Sequence, residues 1–339
     1  MGLFDQPRTQ QPVWFMRQAG RYHWHYQQFR QKHDFMTLCK DAELASEITM
    51  GPIEDFDFNA AIMFSDLLFP LEQLSMGLNY LSGPPKLGYY LEDRENFKKL
   101  KVKEKSETFY KFQADTLISL KQRLSKDVTL LGFVGAPFTL YTYATEGGHK
   151  GSLVSSKKGL YDGLFEKFLN LLEPILLENI AVQLNAGADA ICLFDTAVGE
   201  LSFHDYQKFI IPVMKRIAET VKSQFPDKKI IYYSKLTHLY YLEALESKDI
   251  DVLGIDWRCD IKLALKTLGK NYYIQGNFDP VWLHLSSEDL KKNLEIYLEN
   301  LKDAENKEKW IAGLGHGVLV QTPEENVRMA VKMIQKSLT

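Results

Sequence analysis

Short, largely apolar runs of four to seven residues recur along this chain, and longer amphipathic stretches separate them. Eight such runs are present: Val13–Met16, Ala60–Phe64, Thr129–Val134, Ala188–Phe194, Lys229–Tyr233, Val252–Asp256, Tyr272–Gln275 and Trp310–Leu314. Most show little polar alternation, which suits parallel strands buried on both faces. The segments Ser106–Leu124, Leu160–Ala186, Phe203–Gln224, Ser286–Leu301 and Pro323–Ser337 carry helical periodicity. Pro323, with Glu324 and Glu325 behind it, reads as a helix start, with proline in the first turn and acids at the positive dipole end. Eight strands alternating with helices, with no polar linker, predict an α/β fold: a single (β/α)8 barrel spanning 1–339 as one domain. A doubly wound sheet is the alternative. No Gly-x-Gly-x-x-Gly follows the first run, which weakens its dinucleotide-binding version.

Charge and cysteine content remove several function classes. A formal net charge of -3 offers no general attraction to nucleic acid or to an acidic membrane, so an anionic ligand needs a local basic pocket. Cys39, Cys192 and Cys259 include no Cys-x-x-Cys pair. That argues against a disulfide framework or a cysteine-rich zinc site, and for a reducing compartment. No apolar stretch approaches the ~20 residues of a membrane span. The polar, short Met1–Pro12 segment resembles neither a secretory signal nor a transit peptide. A cytoplasmic protein is expected.

Chemistry in such a barrel gathers at the C-terminal ends of the strands. Those ends bring Arg17 and Arg21, then Ser65 and Asp66, then Gly135-Ala136-Pro137 with Tyr143, then Asp195 and Thr196. Ser234 and Lys235, Asp256 and Trp257, Asn277 and Asp279, and finally His316 follow. Arg17-Gln18-Ala19-Gly20-Arg21 is the most distinctive stretch. Arginine stays charged and presents a planar fork that matches a carboxylate. Gly20 allows backbone N–H groups to approach the same anion. The plainer reading is two surface arginines beside a turn. Asp66, between apolar runs, is either a carboxylate aimed into a pocket or a structural ion pair or helix cap. His316, between Gly315 and Gly317, is either a projecting ligand or a ring satisfying loop carbonyls. Tyr143 is either a donor over the pocket or a tied-off core aromatic. Glu146 reads as structural, and Asp195 and Asp256 as helix caps or braces at the barrel mouth.

Taken together, seven blocks in order resemble the uroporphyrinogen decarboxylase family over nearly the whole chain. They are the run from Pro12 to Tyr22, Ala61 to Asp66, Gly132 to Leu140, Tyr143 with Glu146-Gly147-Gly148, Gly254 to Trp257, Gln275 to Pro280, and Leu314 to Gly317. The resemblance implies a single TIM-type barrel. It also implies a cofactor-free and metal-free decarboxylation of the four acetates of uroporphyrinogen III to give coproporphyrinogen III, and typically a homodimer. Asp66 would accept the pyrrole N–H groups and stabilise a cationic intermediate. Arg17 would hold the reacting acetate. Gln18, Ala19, Gly20 and Arg21 would bind other carboxylates, Tyr143 would hydrogen-bond near Asp66, Thr196 would meet a substrate side chain, and His316 would anchor a propionate.

The chain departs from the family at loops. His23-Trp24-His25 stands where the family commonly has Leu-Pro-Glu. His149 replaces a third glycine, Ala197 stands where a bulky aromatic is frequent, and Leu236-Thr237-His238 replaces a glycine-containing loop. Two alternatives keep the barrel or the ligand but change the activity. One is a zinc methyltransferase of the corrinoid class. It needs a His-x-Cys pair, but Tyr240 follows His238 at that spacing. The other is a porphyrin-binding protein without turnover.

Overall fold

Parallel pairing dominates the computed structural model, which describes residues 1–80, 84–149 and 151–338. Seven strands form one sheet in sequence order: β1 (Ala60–Ile62), β2 (Thr129–Gly135), β3 (Ala190–Asp195), β4 (Lys229–Ser234), β5 (Val252–Gly254), β6 (Tyr273–Phe278) and β7 (Trp310–Leu314). Every neighbouring pair is parallel. Seven of the eight apolar runs therefore become strands, with ends shifted by three residues or fewer.

The first run does not form a ladder strand. Val13 makes one isolated parallel bridge to Ala312 in β7. Trp14 N–H donates to the Ala312 carbonyl at 3.2 Å, and Ala312 N–H donates to the Pro12 carbonyl at 2.9 Å. Toward β1 the pairing passes largely to side chains. Asn59 Oδ1 accepts from Val13 N–H at 2.9 Å. Gln18 Nε2 donates to the Ala60 carbonyl at 3.0 Å, and Gln18 Oε1 accepts from Ile62 N–H at 2.7 Å. These amides take the place of backbone partners, so the segment lies between β7 and β1 without a regular register.

Successive side chains of a strand point to opposite faces, and both faces here are buried. Ala61, Leu130, Ile191, Leu193, Ile230, Tyr232 and Leu253 pack in the large core cluster that includes the helices. Ala60, Ile62, Leu131, Ala190, Cys192, Phe194, Ile231, Tyr233, Val252 and Ile311 form a second cluster, which Trp14 and Met16 of the bridging segment join. This two-sided burial explains why the runs lack polar alternation.

The predicted helices appear in pieces. Ser106–Leu124 divides into Ser106–Phe109 and Lys111–Arg123, and Leu160–Ala186 takes in the end of Val154–Tyr161 and then Leu164–Asn185. Gly163, with φ of 83°, breaks the second at a backbone conformation that suits glycine. Phe203–Gln224 holds a π turn over Tyr206–Ile210. Pro323 stands at the N-cap of Glu324–Gln335, one position before the expected first turn. Additional helices, Trp24–Arg30, Phe35–Lys40 and Ala42–Phe56, fill the connection from the bridging segment to β1. Among the described residues, no helix is long and apolar enough to cross a membrane.

Candidate active site

The bridging segment leaves the sheet at Arg17, whose φ of 60° places a non-glycine residue in the left-handed region. Such a conformation costs of order 1–3 kcal/mol and persists where neighbours over-determine it. Here they do. Val318 N–H donates to the Met16 carbonyl at 2.9 Å, and Gln18 N–H to the Phe15 carbonyl at 3.1 Å. Gln18 is locked onto β1, and its carbonyl accepts from the Tyr22 hydroxyl at 2.7 Å. The turn therefore presents Arg17 and Arg21 to one side while its interior is fixed.

Both arginines border a cavity of about 650 Å³, within the size range of small-molecule sites. Ala19, Gly20, Asp66, Tyr143, Thr196 and His316 line the same cavity. Each follows a different part of the sheet: β1 for Asp66, β2 for Tyr143 on helix Pro137–Glu146, β3 for Thr196 and β7 for His316. Eight of the nine predicted site residues thus meet in one space at the C-terminal ends of the strands. Gln18 is the exception. Its side chain is fully buried in the strand clamp and does not line the cavity, because two backbone groups of β1 already occupy its amide.

The ends of β4 to β6 do not reach this cavity, and their polar groups have local employment. Asp256 accepts from Leu236 N–H at 2.8 Å and from Arg258 N–H at 2.9 Å. Asn277 Nδ2 donates to the Asp256 and Cys259 carbonyls, and Asp279 caps Val281 N–H at 2.9 Å. Asp195 is buried, accepting from Thr139 Oγ1 at 2.8 Å and the Tyr232 hydroxyl at 3.1 Å; burial pushes its carboxyl up to about 6. These are the bracing roles the sequence allowed. Glu146 likewise accepts from Ser156 N–H at 2.7 Å.

Three arginines and a carboxylate line the same cavity. The arginines are Arg17, Arg21 and Arg30, the last at the end of helix Trp24–Arg30 and outside the motif that marks the other two. Arg17 is solvent-accessible yet ringed by protein, and that loss of bulk water lowers its guanidinium from the ordinary value. Among the described residues, neither Arg17 nor Arg21 forms an ion pair, so both stand ready for an anion. The carboxylate is Asp66. Burial raises its carboxyl above the usual carboxylate value, while hydrogen bonds from Tyr80 and Leu68 N–H pull it back. Leu68 N–H reaches Oδ1 at 2.7 Å and the Tyr80 hydroxyl reaches Oδ2 at 2.5 Å. Neither Tyr80 nor Arg30 was flagged by motif or by strand-end position. Arginine spacing along the chain beyond Arg21 offers a weak signal for Arg30; nothing local marks Tyr80.

Tyr143 is raised by burial, then by Asp66, with Arg17 acting in the opposite direction. Its hydroxyl lies 3.0 Å from His149 Nδ1. His316 accepts Gly317 N–H on Nδ1 at 2.6 Å. Burial first, then the charges of Arg17 and Lys235, hold its ring down to about 3, so it is neutral near pH 7. With Nδ1 occupied as an acceptor, the ring proton sits on Nε2. The apolar remainder, including Phe64, Phe133, Phe194 and Val318, supplies flat surface between the polar groups.

The family profile described as "Uroporphyrinogen decarboxylase (URO-D)" matches residues 3–337. The chain belongs to the uroporphyrinogen decarboxylase family. The uroporphyrinogen decarboxylase of Thermodesulfovibrio yellowstonii is 37% identical over 332 residues, covering 96% of this chain and 93% of that protein. The one from Solibacter usitatus is 35% identical over 333 residues, 97% of this chain and 94% of its own length. The Helicobacter pylori G27 uroporphyrinogen decarboxylase is 36% identical, covering 95% and 94%. Among solved structures, a methyltransferase from Methanosarcina mazei superposes with a TM-score of 0.73 at 15% identity, covering 98% of this chain and 95% of that one. At that identity the likeness concerns the fold. Among the described residues, no three His, Cys, Asp or Glu side chains converge as metal ligands would. The zinc methyltransferase alternative is the less supported one, since the family model and the relatives named above are uroporphyrinogen decarboxylases.

Proposed function

We propose that this chain is a carboxy-lyase that converts uroporphyrinogen III to coproporphyrinogen III in haem biosynthesis, using the cavity described above. The observation that carries this reading is the convergence of Arg17, Arg21, Asp66, Tyr143 and His316 on one space. A substrate with eight carboxylates explains why a mildly acidic chain concentrates three arginines at one mouth. We read the Val13–Met16 segment as the eighth stave of a (β/α)8 barrel. It bridges β7 and β1, and Trp14 and Met16 share the inner cluster with the strands.

Decarboxylation needs a place for the electron pair of the breaking C–C bond. Protonation of a pyrrole α-carbon makes the ring a cationic sink. The acetate then departs as CO₂, leaving an exocyclic methylene. Protonation of that carbon and loss of the added ring proton give the methyl group, so each acetate consumes one proton net. Asp66 would accept the pyrrole N–H groups and stabilise the cation in a site that water leaves when substrate enters. Arg17 would hold the reacting acetate; its lowered affinity for the proton is compatible with a share in proton delivery. Arg21 and the Ala19–Gly20 backbone would bind other carboxylates, and Tyr143 and Thr196 would donate hydroxyls. The Nε2–H of neutral His316 would donate to a propionate.

The test is anaerobic incubation of purified protein with reduced uroporphyrinogen and chromatography of the oxidised products. Coproporphyrin formation that Asp66→Ala abolishes supports the reading. Tight binding without CO₂ release would replace it with the carrier alternative. The same reading carries a cytoplasmic homodimer, checked by light scattering of the purified protein and by fractionation of cells.

A further inference from the structure

Asp66 projects from a loop rich in apolar neighbours, with Met63, Phe64, Leu67 and Leu68 around it on the cavity wall. A carboxylate there needs donors to remain an anion. Two are present, one on each oxygen: Leu68 N–H on Oδ1 and the Tyr80 hydroxyl on Oδ2. The backbone bond is a local turn. The Tyr80 bond comes from 14 residues away and depends on how the chain returns. That return is anchored. Asn79 and Lys86 exchange two backbone hydrogen bonds at 2.9 and 3.0 Å in an antiparallel bridge. The Tyr80 ring rests on Phe35, with centroids 4.6 Å apart. Its hydroxyl is thereby aimed at a carboxylate that the cavity already exposes.

We propose that Tyr80 is a positioning residue for Asp66, holding the carboxylate in one orientation and in its ionised form while leaving acceptor sites on both oxygens for the substrate's N–H donors. This rests on the assignment of Asp66 under the proposed function. Each carboxylate oxygen offers two acceptor sites, so one donor apiece leaves one free. The other groups facing Asp66 do not supply this. Tyr143 and Cys39 are neutral neighbours held up by burial. Glu72 would oppose ionisation, but it is paired with Lys40 at 2.8 Å. Arg17, Arg21, Arg30 and His316 share the cavity without a hydrogen bond to Asp66 among the described residues.

Tyr80→Phe tests this because it removes the hydroxyl and keeps the ring on Phe35. Loss of a hydrogen bond to a charged group should move the Asp66 titration, and with it the acid limb of kcat/KM, upward by about one pH unit or more. The first shift is read without substrate by NMR of a ¹³C-labelled aspartate carboxyl, assigned by its disappearance in Asp66→Asn. An upward shift of that carboxyl, with a matching movement of the acid limb, supports the proposal. A variant that loses activity equally at every pH, with the carboxyl titrating as in wild type, overturns it and leaves Tyr80 a packing role. Turnover surviving in Asp66→Asn would remove Asp66 from the chemistry, whereas the carboxyl titration would still decide whether Tyr80 governs its charge.

Discussion

The Arg17 side chain lies along the face of Gly317 that a Cβ would occupy: an added methyl would stand 2.4 Å from Arg17 Cδ and 2.6 Å from Cγ. Gly317 follows His316, so one loop after β7 both carries a site residue and leaves room for another. Gly317→Ala should therefore push Arg17 off its course without disturbing the sheet. A displacement of about 1 Å in a positioned group can cost on the order of 10²-fold. The expected result is a kcat/KM lower by roughly 10- to 100-fold, with a thermal midpoint near wild type. Full activity in this variant would show that the Arg17 path seen here is not required.

Arg21 sits at the exposed rim of the same cavity and has no ion-pair partner among the described residues. Its role as a carboxylate clamp predicts a ground-state effect. Arg21→Ala should raise KM by roughly 10- to 100-fold, the equivalent of one charge-assisted contact, and leave kcat nearly unchanged. Anaerobic steady-state kinetics separate the two constants. An unchanged KM with a collapsed kcat would move Arg21 into the chemical step.

Some of this was legible in the sequence and some was not, for reasons visible in particular residues. The strands were legible because both faces of residues such as Ile191 and Cys192 are buried, so apolar runs stand out. The first run looks like the others, but its pairing toward β1 is made largely by the Asn59 and Gln18 amides, which no periodicity reports. Arg17, Arg21 and Asp66 were legible from position at strand ends. The polar groups after β5 and β6 also stand at strand ends, and they are spent on local bracing, as Asn277 shows by bonding the Asp256 carbonyl. Tyr80 was invisible because it lies 14 residues beyond Asp66 and neither a motif nor a strand end marks it.

Gln18 lies within the arginine motif, yet its amide holds β1 rather than facing the cavity. Gln18→Ala would leave the Ala60 carbonyl and the Ile62 N–H buried without partners. Each orphaned group costs about 1–3 kcal/mol, so a loss of roughly 2–4 kcal/mol in unfolding free energy is expected. Urea denaturation measures it. Unaltered stability together with a raised KM would return Gln18 to the substrate.

His316 gives a pH dependence with a definite sign. Its ring is held down to about 3 in the folded chain, chiefly by burial and then by nearby positive charge, against about 6.5 for an unperturbed histidine. Between those values the unfolded chain binds a proton that the folded chain does not. Stability therefore rises with pH across that window, is fully present above 6.5, and is lost as pH falls toward 3. His316→Asn keeps an acceptor for Gly317 N–H and cannot take the proton in either state. Its stability should fall less than wild type's as the pH is lowered from about 7 to about 5, below the free histidine value. Denaturant midpoints at the two pH values give the comparison. In wild type, ¹⁵N spectra should show a neutral Nε2–H ring throughout the same interval, whereas a ring that gains charge near 6.5 would mean that the burial and the arginine field around His316 do not act as the geometry requires.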